Sequence, residues 1–149
     1  MTAANINSDT DGFLQRIHKM RFMYIVTPAK PVPPTPKLME AVQKLSEREI
    51  KAGRMIDSGG LMPRALGAQV RITDGSLSVI DGPFVEAKEV IGGYAIFELR
   101  DKEEAVEKAV EFMQLHVDHM PGWEGTCELR ALVTPDMDGA CRPDVRAHA

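Results

Sequence analysis

Hydrophobic and polar positions follow two periods along the chain, and their order predicts strands alternating with helices. An almost continuous apolar run at residues 21–26 predicts a buried strand. Thr35 and Pro36 suit the start of a helix as N-cap and first-turn residues, and apolar residues then recur at helical spacing. Gly53 supplies a left-handed stop for that helix. A short strand is predicted over residues 54–58.

The clearest local pattern is a two-residue hairpin loop at Asp74-Gly75. It joins alternating segments at residues 69–73 and 76–80, and Asp-Gly is a preferred sequence for such a loop. The register of this hairpin places four apolar side chains on one face: Val70, Ile72, Leu77 and Val79. Continuing the alternation puts Asp81 at the far end of that face, where an inward-pointing carboxylate would be desolvated.

The second half of the chain predicts a long strand, a helix and a final strand. The long strand covers residues 90–99, and the final alternating strand covers residues 126–133. Asp101 and Glu104 form a capping-box pair at the start of the helix between them. The predicted buried stripe of this helix consists of Val106, Ala109, Val110, Met113 and Val117.

Without the hairpin, this order of elements is βαββαβ, in which two helices cover one face of an antiparallel sheet. We therefore expect an α+β, ferredoxin-like domain over residues 20–134 with an inserted β-hairpin. Residues 1–19 are predicted to be a flexible leader and residues 135–149 a tail. Tyr94 and Ile96 indicate that the second sheet face is also apolar, so a homodimer with a two-fold axis is expected.

Composition narrows the classes of partner. The formal net charge of −4, with scattered basic residues, argues against nucleic acid as a partner. No apolar run is long enough to cross a bilayer and no secretion signal opens the chain, so a cytoplasmic location is expected. Cys127 and Cys141 lack metal-ligand spacing and are expected to be free thiols. No cofactor is predicted.

The nine residues from Asp81 to Glu89 read DGPFVEAKE and are followed closely by the string IGGY. This pattern resembles the signature of the YCII-related family in its DGPF-domain branch, whose usual form is close to DGPFAETKE. Val85 and Ala87 replace the commoner Ala and Thr. Shorter matches to the family occur at residues 21–23, 60–63 and 128–130.

The resemblance implies a ferredoxin-like dimeric α+β barrel without a single established activity. It also implies a small-molecule site near Asp81, which in this family is sometimes proposed to pair with a His as an acid–base dyad. Some relatives stand beside extracytoplasmic-function sigma factors, which suggests such a factor as a partner. The leader and the Pro-rich stretch 28–36 depart from the family pattern; that stretch is either a loop over a functional face or a stiff connector.

Three residues are candidates for acid–base chemistry: Asp81, His116 and His119. Burial at the end of an apolar face would suit Asp81 to proton transfer, whereas an Asp before Gly-Pro also caps a turn, and both roles stay open. His116 and His119, three residues apart, could share a metal, but a third ligand is missing and no metal site is predicted. The helix dipole alone also favours His there.

The candidate ligand-binding residues surround the same string: Gly60, Arg64, Phe84, Glu86 and Lys88. Arg64 or Lys88 could offer a cation to a carboxylate ligand, although alternating charges such as Glu86 and Lys88 are typical of a solvated face. The first hypothesis is an acid–base isomerase or lyase acting on a small carboxylate or carbonyl compound. The alternative is a ligand-binding or regulatory module without turnover.

Overall fold

The protein is described from a computed structural model, in which residues 19–82 and 90–134 are defined. They form six strands, two α-helices and one short 3-10 helix. The elements are β1 (Met20–Pro28), α1 (Pro36–Lys51), β2 (Met55–Gly60), the 3-10 helix (Arg64–Leu66), β3 (Ala68–Thr73), β4 (Ser76–Asp81), β5 (Gly93–Leu99), α2 (Lys102–His119) and β6 (Gly125–Leu132). Apart from Lys19, the predicted leader and tail lie outside the described residues.

Four of the strands form one antiparallel sheet in the order β2-β5-β1-β6, and β3 and β4 form a separate two-stranded sheet. When the hairpin is set aside, β1 and β5 are the first and third of the remaining strands along the chain, and they lie at the centre of the sheet. The second and fourth, β2 and β6, lie at its edges. This is the sheet of a ferredoxin-like βαββαβ unit, and it confirms the predicted α+β fold with its inserted hairpin.

The core lies between this sheet and the helices. Phe22 and Tyr24 of β1 pack with Phe97 and Leu99 of β5, as expected for residues two apart on adjacent strands. The hydroxyl of Tyr24 donates a hydrogen bond to the carbonyl oxygen of Ala105 in α2, at 2.8 Å. Since a buried hydroxyl needs a partner, this bond fixes α2 against the centre of the sheet.

The ends of both helices follow their sequence signals. Thr35 caps α1 by accepting a hydrogen bond from the backbone N–H of Leu38 at 3.2 Å. Asp101 caps α2 by accepting one from the backbone N–H of Glu104 at 2.9 Å. Gly53, just beyond α1, has φ +74°, the left-handed conformation that ends helices.

The buried stripe predicted for α2 was wrong by about one residue. Ala105, Ala109 and His116 are buried, whereas Val106 and Val110 are 42% and 61% exposed. Hydropathy alone favours burial of the valines. The small side chain of Ala105, however, lets the helix backbone come close enough to accept a hydrogen bond from Tyr24. The valines consequently turn toward the surface.

The hairpin has the predicted register, with Asp74 and Gly75 both at positive φ, as a type I′ turn requires. Its apolar face, however, is open within one chain. The exposed side chains, each 69–72% accessible, are Val70, Ile72, Leu77 and Val79. Asp81 is exposed as well. The desolvation expected for this carboxylate therefore does not occur inside a single chain.

The sheet face opposite the helices carries apolar side chains in directly opposed pairs. Met23 lies opposite Ile96, and Ile25 lies opposite Tyr94. All four are half-buried in the single chain. The homodimer expected from this face stays a prediction. In the described part of the chain, neither helix combines the length and apolar character needed to cross a membrane.

A buried carboxylate joins both helices to the edge of the sheet. The side chain of Glu49 is 1% exposed. It accepts hydrogen bonds from Arg48 at 2.9 Å on α1, from Lys108 at 2.9 Å on α2, and from Arg54, which precedes β2. Arg48 also pairs with Glu111 on α2. We call these five residues the Glu49 cluster.

Burial alone would raise the pKa of Glu49, but the hydrogen bonds from Arg54, Lys108 and Arg48 outweigh it and lower the pKa to about 2. The carboxylate therefore stays ionised in the folded protein. Since its unfolded pKa is higher, near 4.5, it stabilises the fold above that pH. This stabilisation is lost as the pH falls toward 2.

Replacing Glu49 by Gln should lower the free energy of unfolding by about 2 to 3 kcal/mol. This is at or below the usual cost of breaking a buried pair, because the cations left behind are partly exposed. Urea denaturation at pH 7 measures the loss. Glu47→Gln, on an exposed position of the same helix, is the matched control and should change stability by less than about 0.5 kcal/mol. Equal effects of the two substitutions would contradict the role of the cluster.

Candidate functional site

Two adjoining cavities lie between the helices and the sheet. The large cavity has a volume of about 510 Å³ and the small cavity about 280 Å³. Val42 of α1, Gly93 of β5 and Phe112 of α2 line both. We refer to the two cavities together as the helix–sheet cleft. Its volume is that of a small-molecule site.

Apolar side chains dominate the large cavity, and His116 is the ionisable residue in its lining. The imidazole of His116 lies between two aromatic rings, with centroids 4.9 Å from Phe112 and 4.4 Å from Trp123. Val32 and Pro34 of the Pro-rich stretch also line this cavity. Of the two readings left open for this stretch, the structure therefore favours a loop over a cleft.

The surroundings of His116 keep its ring neutral near pH 7. Burial lowers the pKa of the imidazole, and its hydrogen bond with the backbone oxygen of Phe112 opposes this only in part. Nδ1 lies 3.2 Å from that oxygen, so Nδ1 carries the hydrogen and Nε2 carries the lone pair. Among the described residues no enclosed side-chain nitrogen or oxygen lacks a partner, so Nε2 is accessible, on a residue that lines the large cavity.

Glycines form the part of the sheet that both cavities touch. Gly60 is paired with Gly93, and Leu61 donates its backbone N–H to the oxygen of Gly92 at 3.0 Å. A Cβ on Gly93 would come within 3.0 Å of the oxygen of Gly59. The strands therefore approach closely here, and bare backbone faces the cleft.

One face of α2 runs the length of the cleft. Lys108, Phe112 and His116 follow one another at intervals of four residues and so share that face. Lys108 lines the small cavity, His116 lines the large one, and Phe112 lies between them. A cation, an aromatic ring and a neutral base are thus arranged in a row.

The structure separates the predicted site residues. His116 and Gly60 line the cleft. His119 is half-buried and lines neither cavity, and Asp81 lies exposed at the end of β4. Arg64 is half-buried in the 3-10 helix.

Three predicted ligand-binding residues lie outside the described part of the chain: Phe84, Glu86 and Lys88. The described residues on either side of this segment still show where the chain continues after it. Asp81 and Gly82 precede this segment, and Val90 leads from it to Gly92 and Gly93 in the cleft. The described chain that follows the DGPF-like string, from Val90 onward, therefore leads into the sheet at the wall of the cleft.

No group of three potential metal-ligating side chains occurs among residues 19–82 and 90–134. His116 and His119 are not brought together on one cavity wall. Cys127 is a free thiol whose pKa is raised to about 11 by burial, so it stays protonated at neutral pH. Cys141 lies outside the described residues.

Residues 20–112 match the profile of the YCII-related domain, which is more than half of the chain. The chain belongs to the YCII-related family. The matched region contains Lys108 and Phe112 of the cleft and ends before His116 and Trp123. The finer assignment to the DGPF branch stays a resemblance carried by the string at residues 81–89.

The chain is also similar to the uncharacterized protein R00369 of Rhizobium meliloti (strain 1021). The two are 27% identical over 73 residues, which cover 49% of this chain and 59% of that relative. The aligned segment therefore spans less than two thirds of the relative's length.

Sequence reasoning missed three residues of this YCII-related cleft: Lys108, Phe112 and Trp123. The signal for Phe112 was its spacing of four residues from His116, which places the two on one face of α2. That signal becomes useful only when it is known which face of the helix is buried. Trp123 follows Pro121-Gly122, a chain reversal whose direction the sequence does not determine. Lys108 reads as an ordinary solvated lysine until its contact with Glu49 is known.

Gly125→Ala should displace Trp123 from His116, because an added Cβ would lie 2.4 Å from the Trp123 ring and 2.9 Å from the oxygen of Thr27. Water would then reach the imidazole and its pKa should rise toward 6.5. A proton NMR titration of the His116 ring follows this pKa. Thr126→Ala, the neighbouring exposed position, is the control. An unchanged His116 pKa in Gly125→Ala would refute the proposed shielding.

Proposed function

We propose that this protein is an acid–base enzyme of the isomerase or lyase type that acts on a small carboxylate or carbonyl compound bound in the helix–sheet cleft. The observation that carries the proposal is the neutral, buried imidazole of His116 facing an apolar cavity of about 510 Å³. A pocket with apolar walls and few polar groups is the usual form of a small-molecule site.

His116 is the proposed general base. Its Nε2 lone pair takes a proton from the carbon next to the substrate carbonyl, which leaves an enolate and an imidazolium. The imidazolium then returns the proton to a different atom of the substrate. The bond between Nδ1 and the oxygen of Phe112 holds the ring in one tautomer and orientation during both transfers.

The apolar walls and the rings of Phe112 and Trp123 on either side of the imidazole support this role. Burial disfavours the imidazolium, so the base is available at neutral pH and releases its proton readily after each transfer. The bare backbone at Gly60 and Gly93 lets a flat substrate lie close to the sheet.

Asp81 remains a second candidate for proton transfer. It lies exposed at the end of the hairpin, outside the lining of the cleft, so a direct dyad with His116 has no support within one chain. The homodimer is retained as a proposal on the basis of the open sheet face and the exposed hairpin. The sigma-factor alternative has no structural observation in its favour.

His116→Gln should abolish proton exchange on a carbonyl substrate. The protein is incubated in D₂O with a panel of small ketones, 2-oxo acids and longer oxo acids whose carbonyl is separated from the carboxylate, and loss of the proton NMR signal next to the carbonyl is followed over time. We expect exchange by the wild type and a loss of about 100-fold or more in His116→Gln. His119→Gln, one turn further along α2 and outside the cleft lining, should retain exchange.

Retained exchange in His116→Gln would refute its role as the base. No exchange above the protein-free rate for any compound would count against an enzyme of this type.

Asp81→Asn separates chemistry from turn capping. If Asp81 takes part in proton transfer, exchange should fall by about 100-fold while the melting temperature stays within about 2 °C of the wild type. If it caps the turn at the end of β4, the melting temperature should fall and exchange should decline only in proportion to the folded fraction. Thermal unfolding by circular dichroism, run beside the exchange assay, distinguishes the two.

A further inference from the structure

The small cavity has an ionic end that the proposed base does not use. Lys108 and Glu49 are the two charged residues in the lining of this cavity, and the other lining residues are mostly apolar. Its side chain is 20% exposed. A partly buried ammonium group needs hydrogen-bonding or charged partners, from the protein or from a ligand.

Lys108 has hydrogen-bonding capacity left over. Its Nζ donates to Oε1 of Glu49 at 2.9 Å, whereas Oε2 of Glu111 is 3.9 Å away and too distant for a hydrogen bond. An ammonium group has three N–H donors. Two of them thus have no hydrogen-bond partner among the described residues.

The charge of the Glu49 cluster also favours an added anion. Three cations, Arg48, Arg54 and Lys108, surround the two carboxylates of Glu49 and Glu111. The cluster therefore carries one excess positive charge. Glu49 would repel an anion by itself, but its charge is already compensated by the two arginines.

We propose that Lys108 binds the carboxylate of the substrate and so determines the specificity of the cleft. This inference rests on the proposed function and adds the class of ligand: an elongated apolar carboxylic acid. Its carboxylate accepts hydrogen bonds from Lys108, its apolar body lies along Phe112, and its reacting carbon lies at His116.

The spacing of the three residues limits the length of this ligand. Eight residues of α-helix separate Lys108 from His116, a rise of about 12 Å. A contact of about 3 Å at each end leaves roughly 6 Å between the bound carboxylate and the reacting carbon. Acids with an aromatic ring or a short chain between these two groups fit this distance, whereas acetate-sized acids are too short.

Binding of 4-phenylbutyrate and of its neutral analogue 4-phenylbutyramide tests the assignment. Trp123, the single Trp of the chain, lines the large cavity, so its fluorescence reports occupancy. The wild type should bind the carboxylate about 10-fold or more tightly than the amide, the usual scale of a charge-assisted hydrogen bond. Lys108→Met should bind the two compounds about equally, with the amide affinity within about two-fold of the wild type.

Lys44→Met removes the same charge from an exposed position of α1 that pairs with Glu40. This control should keep the full preference for the carboxylate. Persistence of the preference in Lys108→Met would overturn the assignment to Lys108. Should that variant not fold, the wild type still decides, because equal binding of acid and amide would overturn the inference.

Two further results separate this inference from the proposed function. Binding of both compounds without preference, together with proton exchange that depends on His116, would refute the carboxylate site and leave the general base intact. Failure of the wild type to bind either compound, with no exchange on any substrate, would overturn both.

Discussion

One buried carboxylate joins the two helices to each other and to the edge of the sheet. Glu49 brings together side chains from α1, from α2 and from the approach to β2, and its burial would be unfavourable without all of them. The same contacts join the two helices beside the small cavity, which Glu49 and Lys108 both line. This end of the cleft is therefore bounded by an ion pair as well as by apolar side chains.

This arrangement explains why polar chemistry and apolar walls occur in one cleft. Near the start of α2, the small residue Ala105 lets the helix lie close to the sheet, and the core there is dense. Further along the helix the cleft is lined by larger groups, Lys108 at one end and the adjoining rings of His116 and Trp123 at the other. Space for a ligand remains between them.

Much of the fold could be predicted from local sequence signals. Thr35, Asp101 and the Asp74-Gly75 loop act through hydrogen bonds and backbone angles within a few residues, and the structure has each of them as expected. Given the order of strands and helices, the rules for connecting them allow only a few sheet topologies. The phase of α2 could not be predicted, because it depends on the contact of Tyr24 with Ala105 across 81 residues of sequence.

The candidate site was less accessible to sequence reasoning. His116 was singled out, but its partner rings and the neighbouring ammonium come from separate segments whose approach only tertiary packing determines. Asp81 was expected to face inward because the hairpin pattern looks half-buried. A period of two reports which residues share a face, and it does not report whether anything covers that face.

The independence of the hairpin has a consequence for how members of this fold can diverge. β3 and β4 bond to each other and supply no strand to the four-stranded sheet, and neither lines either cavity. Substitutions on this arm can thus alter what the molecule touches while leaving the helix–sheet cleft unchanged. Residues for contact with other molecules and residues that line the cleft can be selected separately in such an architecture.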